Sequence, residues 1–165
     1  MKQSLDWVVF KEYLLSFADE HRGKFDKVYG ISRKGMVPAT MLAIEWGMEL
    51  GVCRMKDDGC MLDGSDYMLG QSNYPEVKKY PNYFEKFLFV DDVVAQGRTI
   101  KKVRSAFQGC KYLTIVQDKD SEERADHHLL LCDKEEWVVF PWERFDKVKE
   151  MDRGLYRDGT STYGT

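Results

Sequence analysis

The stretch Phe87-Leu-Phe-Val-Asp-Asp-Val-Val-Ala-Gln-Gly-Arg-Thr-Ile100 constrains this chain more than any other. Four apolar residues end in two adjacent acids, a turn containing glycine follows, and then an amphipathic segment begins. An apolar run of this kind marks a strand buried on both faces of a parallel sheet. The turn after it then falls at the carboxyl edge of the sheet, where open α/β sheets bind ligands. Two carboxylates at that edge suit a hydrated divalent cation or the hydroxyls of a sugar. The amides of Ala95 to Thr99, at a helix amino terminus, suit a phosphate. Asp91 and Thr99 bound a nine-residue span that carries both devices.

A second junction of the same kind is Gly30-Ile-Ser-Arg-Lys-Gly-Met-Val-Pro-Ala39. A short strand over 25–31 runs into a polar turn, and Pro38 is expected to open a helix carrying Met41, Leu42, Ile44 and Leu50. Arg33 and Lys34 stand where backbone amides already favour an anion, and two cations there suit a diphosphate.

The remaining chain alternates between strand and helix patterns. Tyr13, Leu14 and Phe17 have helical spacing within 5–22, after a short extended lead-in and before Gly23. Residues 55–85 are dense in turn formers and weakly periodic, which predicts a long irregular connection. A helix is expected from Thr99 to Phe107, stopped by Gly109. Strands are expected over 111–117 and 129–132, with a charged loop over 118–128. A further apolar piece, Trp137-Val-Val-Phe-Pro-Trp-Glu143, is cut by Pro141. This alternation predicts an α/β fold, a central, mostly parallel sheet flanked by helices. The 165 residues fit a single domain over 1–153, with a frayed Gly-, Ser- and Thr-rich tail over 154–165.

A net charge of −3 argues against a general nucleic-acid binder. No apolar run is long enough for a membrane span, and the amino terminus carries no signal-peptide pattern. Cys53, Cys60, Cys110 and Cys132 are scattered, as expected of reduced thiols in a cytoplasmic protein.

The segment Phe87–Ile100 resembles the 5-phosphoribosyl-1-pyrophosphate (PRPP) signature of the type I phosphoribosyltransferases. The words Ile-Ser-Arg-x-Gly-x-Val-Pro-Ala and Trp-apolar-x-x-Pro-Trp-acid resemble the xanthine-guanine and hypoxanthine branches of that family. The resemblance implies the type I fold, with a small hood subdomain, mainly from 119–145 and the amino-terminal segment, and a flexible loop. It implies that Asp91 and Asp92 bind the ribose hydroxyls and Mg2+. The 5′-phosphate goes to Ala95, Gln96, Gly97, Arg98 and Thr99 and the pyrophosphate to Arg33 and Lys34, with Gly35 and Val94 completing the PRPP-binding set. Asp91, Asp92 and Arg33 are the implied catalytic residues. Trp137 stacks on the base, the Val138 backbone meets its Watson–Crick edge, and Lys119 reaches its 6-oxygen. Ser72 and Tyr74 are candidates for the tip of the loop that closes over the site. The implied partners are small molecules, PRPP and a nucleobase, and a second copy of the chain in a dimer or tetramer.

Three positions depart from the family pattern. Lys34 replaces a glycine, Gln96 replaces a threonine, and Ala95 replaces the aspartate that handles the purine N7 proton. The hood favours xanthine, guanine or hypoxanthine, while Ala95 leaves adenine or another base open. A regulatory protein of the same fold, binding PRPP or nucleotides as effectors, is the alternative from a different class.

Overall fold

The computed structural model describes residues 2–70, 80, 82–134 and 136–143. After a short strand β1 (Lys2–Ser4), Asp6 starts helix α1 (Trp7–Glu20) by accepting the Val8 and Val9 amides at 2.8 and 3.0 Å. Strand β2 (Lys27–Ile31) leads into α2 (Met36–Trp46), which Gly47 ends in a left-handed conformation. Strands β3 (Leu50–Lys56) and β4 (Gly59–Leu62) form a hairpin, followed by a 3₁₀ helix over Gly64–Gly70. Then come β5 (Phe87–Val94), α3 (Arg98–Ala106), β6 (Lys111–Asp118), β7 (His127–Cys132) and β8 (Trp137–Val139).

The main sheet has the order β4-β3-β2-β5-β6-β7, parallel throughout except for β4 at one edge. Strand alternation sends Leu88 and Val90 to one face and Phe87 and Phe89 to the other. The first face is covered by α1 and α2 through Phe10, Leu14, Phe17 and Leu42. The second is covered by α3 through Ile100 and Val103, with Phe107 stacked on Phe89 at 4.9 Å. Each fully buried side chain of this size contributes about 1.5–3 kcal/mol of apolar burial. Apart from this sheet, β1 pairs in parallel with β8, with Lys2 opposite Trp137. Trp142 packs against Phe10 and Phe140 at 5.1 and 4.8 Å, which docks this small sheet onto α1.

Four local expectations need correction. Leu50, expected in the helix after Pro38, instead opens β3 beyond the Gly47 stop. The irregular stretch expected from residue 55 is still a hairpin as far as Leu62. Its Asp58-Gly59 pair is a tight-turn signal, and Lys102 fixes the tip by donating to the Lys56 and Asp57 carbonyls, both at 2.8 Å. Helix α2 begins two residues before Pro38, whose missing amide hydrogen costs nothing in a first turn. Strand β7 starts at His127, which the sequence placed in a loop; its ring packs on His21 at 4.6 Å and on Phe17 at 5.3 Å.

Candidate active site

Strand β5 carries its two acids to the carboxyl edge of the sheet, and both are buried. Asp91 is held twice: one oxygen takes the Asp92 amide at 2.9 Å, and the other takes the Tyr112 hydroxyl at 2.8 Å. Asp92 is held less. Its Oδ2 is buried with no hydrogen-bond partner, and the Lys34 ammonium lies 4.0 Å away. Burial raises the pKa of both carboxyls. Hydrogen bonds from Tyr112 and the Asp92 amide offset part of this at Asp91, whereas the Asp91 charge adds to it at Asp92, which lies well above the usual range.

Lys34 links this pair to the small sheet. Its ammonium donates to Glu143 Oε1 at 2.6 Å, and Glu143 Oε2 accepts the Phe140 amide at 3.1 Å. Three carboxylates therefore face one ammonium here, and the local field favours a further cation. An oxygen donor set with an orphaned, partly charged oxygen fits a hard divalent ion such as Mg2+. Among the described residues no three His, Cys, Asp or Glu side chains form a cage. Such an ion then needs oxygens from a ligand as well, as Mg2+ bound with phosphates does.

The turn after β2 lies beside the acids because Gly30 pairs with Val90 across the parallel strands. A Cβ on Gly35 would collide with the Val90 carbonyl and come within 3.0 Å of the Asp91 Cα, so only glycine permits this approach. The Ser32–Arg33 peptide bond is cis, and Arg33 is exposed.

The second turn, after β5, ends at Gly97, which caps α3 at φ 79° with no side-chain hydrogen bond. A Cβ at Gly97 would meet the Glu123 Cβ at 2.5 Å. The first amides of α3 have no acceptor within the helix, which leaves them to an anion. Ala95, Gln96 and Arg98 line a cleft of about 430 Å³, with Asp118, Ser121 and Lys134 across from them.

No family model matches the chain. It is 28% identical to the xanthine-guanine phosphoribosyltransferase of Gluconobacter oxydans over 127 residues, 75% of this chain and 72% of that protein. The purine phosphoribosyltransferase of Pyrococcus horikoshii superposes with a TM-score of 0.64 at 24% identity, covering 87% of this chain and 95% of the archaeal one. The chain has the fold of the type I phosphoribosyltransferases. The Helicobacter pylori xanthine-guanine-hypoxanthine phosphoribosyltransferase superposes with a TM-score of 0.61 at 18% identity, covering 92% and 100%.

Within this phosphoribosyltransferase fold, Asp91, Asp92, Lys34 and Gly35 come together, and Gly97, Arg98 and Thr99 form the adjoining helix start. The Val94 side chain is buried in the core, so only its main chain can serve a ligand. Lys119 is exposed and ion-paired with Asp133 at 3.0 Å. Val138 is part-buried against the core under the small sheet. Trp137 contributes its backbone to β8, opposite Lys2. Its side chain, like Ser72 and Tyr74, lies outside the described residues. The sequence assigns Tyr112 no role and includes Glu143 only as the acid that closes the Trp-Pro-Trp word. A tyrosine in a strand carries no local mark of function, and Glu143 meets Lys34 across 109 residues.

Proposed function

We propose that this protein transfers the 5-phosphoribosyl group of PRPP to a purine base (xanthine, guanine or hypoxanthine), releasing pyrophosphate and forming a nucleoside monophosphate. The observation that carries the reading is the meeting of the acid pair, the Arg33–Gly35 turn and the uncapped start of α3 at one edge of adjacent parallel strands. Sugar hydroxyls, a diphosphate and a monophosphate each find a matching device there.

Asp91 and Asp92 accept hydrogen bonds from the ribose hydroxyls, and Tyr112 fixes the orientation of Asp91. The amides of Ala95 to Thr99 hold the 5′-phosphate. Arg33 and Lys34 hold the pyrophosphate, which requires Lys34 to divide its charge between the ligand and Glu143. Asp91 and Asp92 would also hold Mg2+, which would neutralise charge on the departing diphosphate. The transition state has oxocarbenium character at the anomeric carbon, so the residues act chiefly by positioning and by electrostatics. Trp137 and Val138 present the base, and aromatic stacking on an indole adds roughly 0.5–1.5 kcal/mol to its burial.

Pyrophosphate release from PRPP, measured against a panel of purine and pyrimidine bases with Mg2+, tests the proposal. Turnover with a 6-oxopurine is expected. PRPP binding without turnover on any base would instead favour a protein that uses PRPP as an effector.

A further inference from the structure

Bond formation at a ring nitrogen of a neutral base releases a proton, and a carboxylate in the cleft beside the turn after β5 is a suitable acceptor for it. Ala95 offers a methyl group, and neither Gln96 nor Arg98 is a base at neutral pH. Strand β6 supplies a carboxylate at the same level. Val94 pairs with Gln117 across the parallel strands, so the next residues, Ala95 and Asp118, stand side by side at the carboxyl edge. Both line the same cleft of about 430 Å³.

Asp118 differs from the other acids around it. Glu122 is paired with Lys101 at 3.1 Å, Asp133 is paired with Lys119, and Asp120 is exposed. Asp118 is half-buried, and among the described residues it has no ion-pair partner. One of its oxygens accepts the Asp120 amide at 2.8 Å, which orients the carboxyl group and leaves the second oxygen for a ligand. The position is also held firmly. The buried Gln117 side chain donates to the Asp118 and Glu123 carbonyls at 3.0 and 3.2 Å and accepts the Ala125 amide at 3.0 Å.

We propose that Asp118 is the proton acceptor for the base. This rests on the phosphoribosyl-transfer reading above. As the ring nitrogen bonds to the anomeric carbon, the carbon–oxygen bond to pyrophosphate breaks and its electron pair leaves with the pyrophosphate. The proton on the other imidazole nitrogen passes to the Asp118 carboxylate and then to water. The same carboxylate favours bases that present a ring N–H on that edge, which relates the Ala95 position to base choice.

The test uses the full chain and steady-state kinetics with PRPP and each of xanthine, guanine, hypoxanthine and adenine. Asp118→Asn keeps the oxygen that receives the Asp120 amide and removes the basicity. Its kcat on the preferred base should fall about 100-fold or more, within the range of general-base effects, while the KM for PRPP stays unchanged. Adding Ala95→Asp to that variant places a carboxylate beside position 118 and should restore at least about tenfold of the lost rate. A variant with wild-type kcat overturns the proposal. So does an equal loss in PRPP binding, or an Ala95→Asp combination with no recovery, because either marks a structural role. No turnover by the wild-type protein on any base would overturn the transfer reading itself, whereas wild-type turnover with an unaffected Asp118→Asn would remove only the role of Asp118.

Discussion

Replacing Asp92 by Asn should stabilise the protein while damaging its use of PRPP. Asp92 is buried, its Oδ2 has no hydrogen-bond partner, and Asp91 is its sequence neighbour in the same buried pair. An unsatisfied buried polar group costs about 1–3 kcal/mol, and more when it is charged. Asn removes the charge, and Lys34 keeps Glu143 at 2.6 Å as its partner. The Asn amide still leaves a polar atom at the orphaned position, so only the cost of the charge is recovered. A gain of about 1 kcal/mol corresponds to a rise in Tm of roughly 2–4 °C for a chain of this size. The pH dependence gives a second check. An acid whose pKa is raised in the folded state binds its proton more tightly there, so its contribution favours folding at low pH and is lost as pH rises through the raised value. Wild-type Tm at pH 5.5 should therefore gain on the Asp92→Asn Tm relative to the difference at pH 7.5. In the assay, kcat/KM for PRPP should fall about 10- to 100-fold, the value of a hydrogen bond to a charged group. Mg2+ with PRPP should raise the Tm of the variant less than that of the wild type. A variant that melts at or below wild type at pH 7.5 would refute the assignment of Asp92 as a destabilised, ligand-directed acid.

Gly97→Ala should lower stability by about 1–3 kcal/mol, because φ is 79° and the new Cβ meets Glu123. Its KM for PRPP should rise, and denaturant melts and donor titrations check both effects. Lys34→Met removes the cation shared by Glu143 and Asp92. The cost at pH 7.5 should be about 1–3 kcal/mol, below that of a fully buried pair because the Lys34 side chain keeps 32% of its exposure, and thermal melts should recover part of it at pH 5.5. Burial and the neighbouring His21 lower the pKa of His127, so its contribution to stability is present above the ordinary histidine pKa and is lost as pH falls below it. His127→Phe should therefore show a smaller fall in Tm between pH 7.5 and 5 than the wild type.

The parts of the fold legible in the sequence were those set by short-range pattern. An apolar run ending in Asp91 and Asp92 can be a strand at a sheet edge, and Gly97 can mark the turn into a helix, because burial and backbone geometry act within a few residues. The Asp57–Gly59 tip reads as irregular chain because the strands it joins lack clean alternation, and its anchor, Lys102, lies in α3. Residues 127 and 128 read as loop because a histidine's packing partners cannot be seen from its neighbours. At the candidate site, Lys34 was legible as a cation in the polar turn after a strand. Its pairing with Glu143 was not, since it depends on how the β1–β8 sheet docks. Tyr112 and Asp118 owe their positions to strand register, which fixes who stands beside whom only after the sheet is formed.

The Lys34–Glu143 pair also bears on how the protein is made. Glu143 leaves the ribosome 109 residues after Lys34, a delay of about 5–20 seconds at ordinary elongation rates. Until then Lys34, joined midway by Asp91 and Asp92, stands in the nascent chain without the carboxylate that fixes it. Closing so long a loop is also entropically late among folding events. The acid-pair site is thus among the last parts of the molecule to be completed, because its lysine is fixed only once Glu143 has been added.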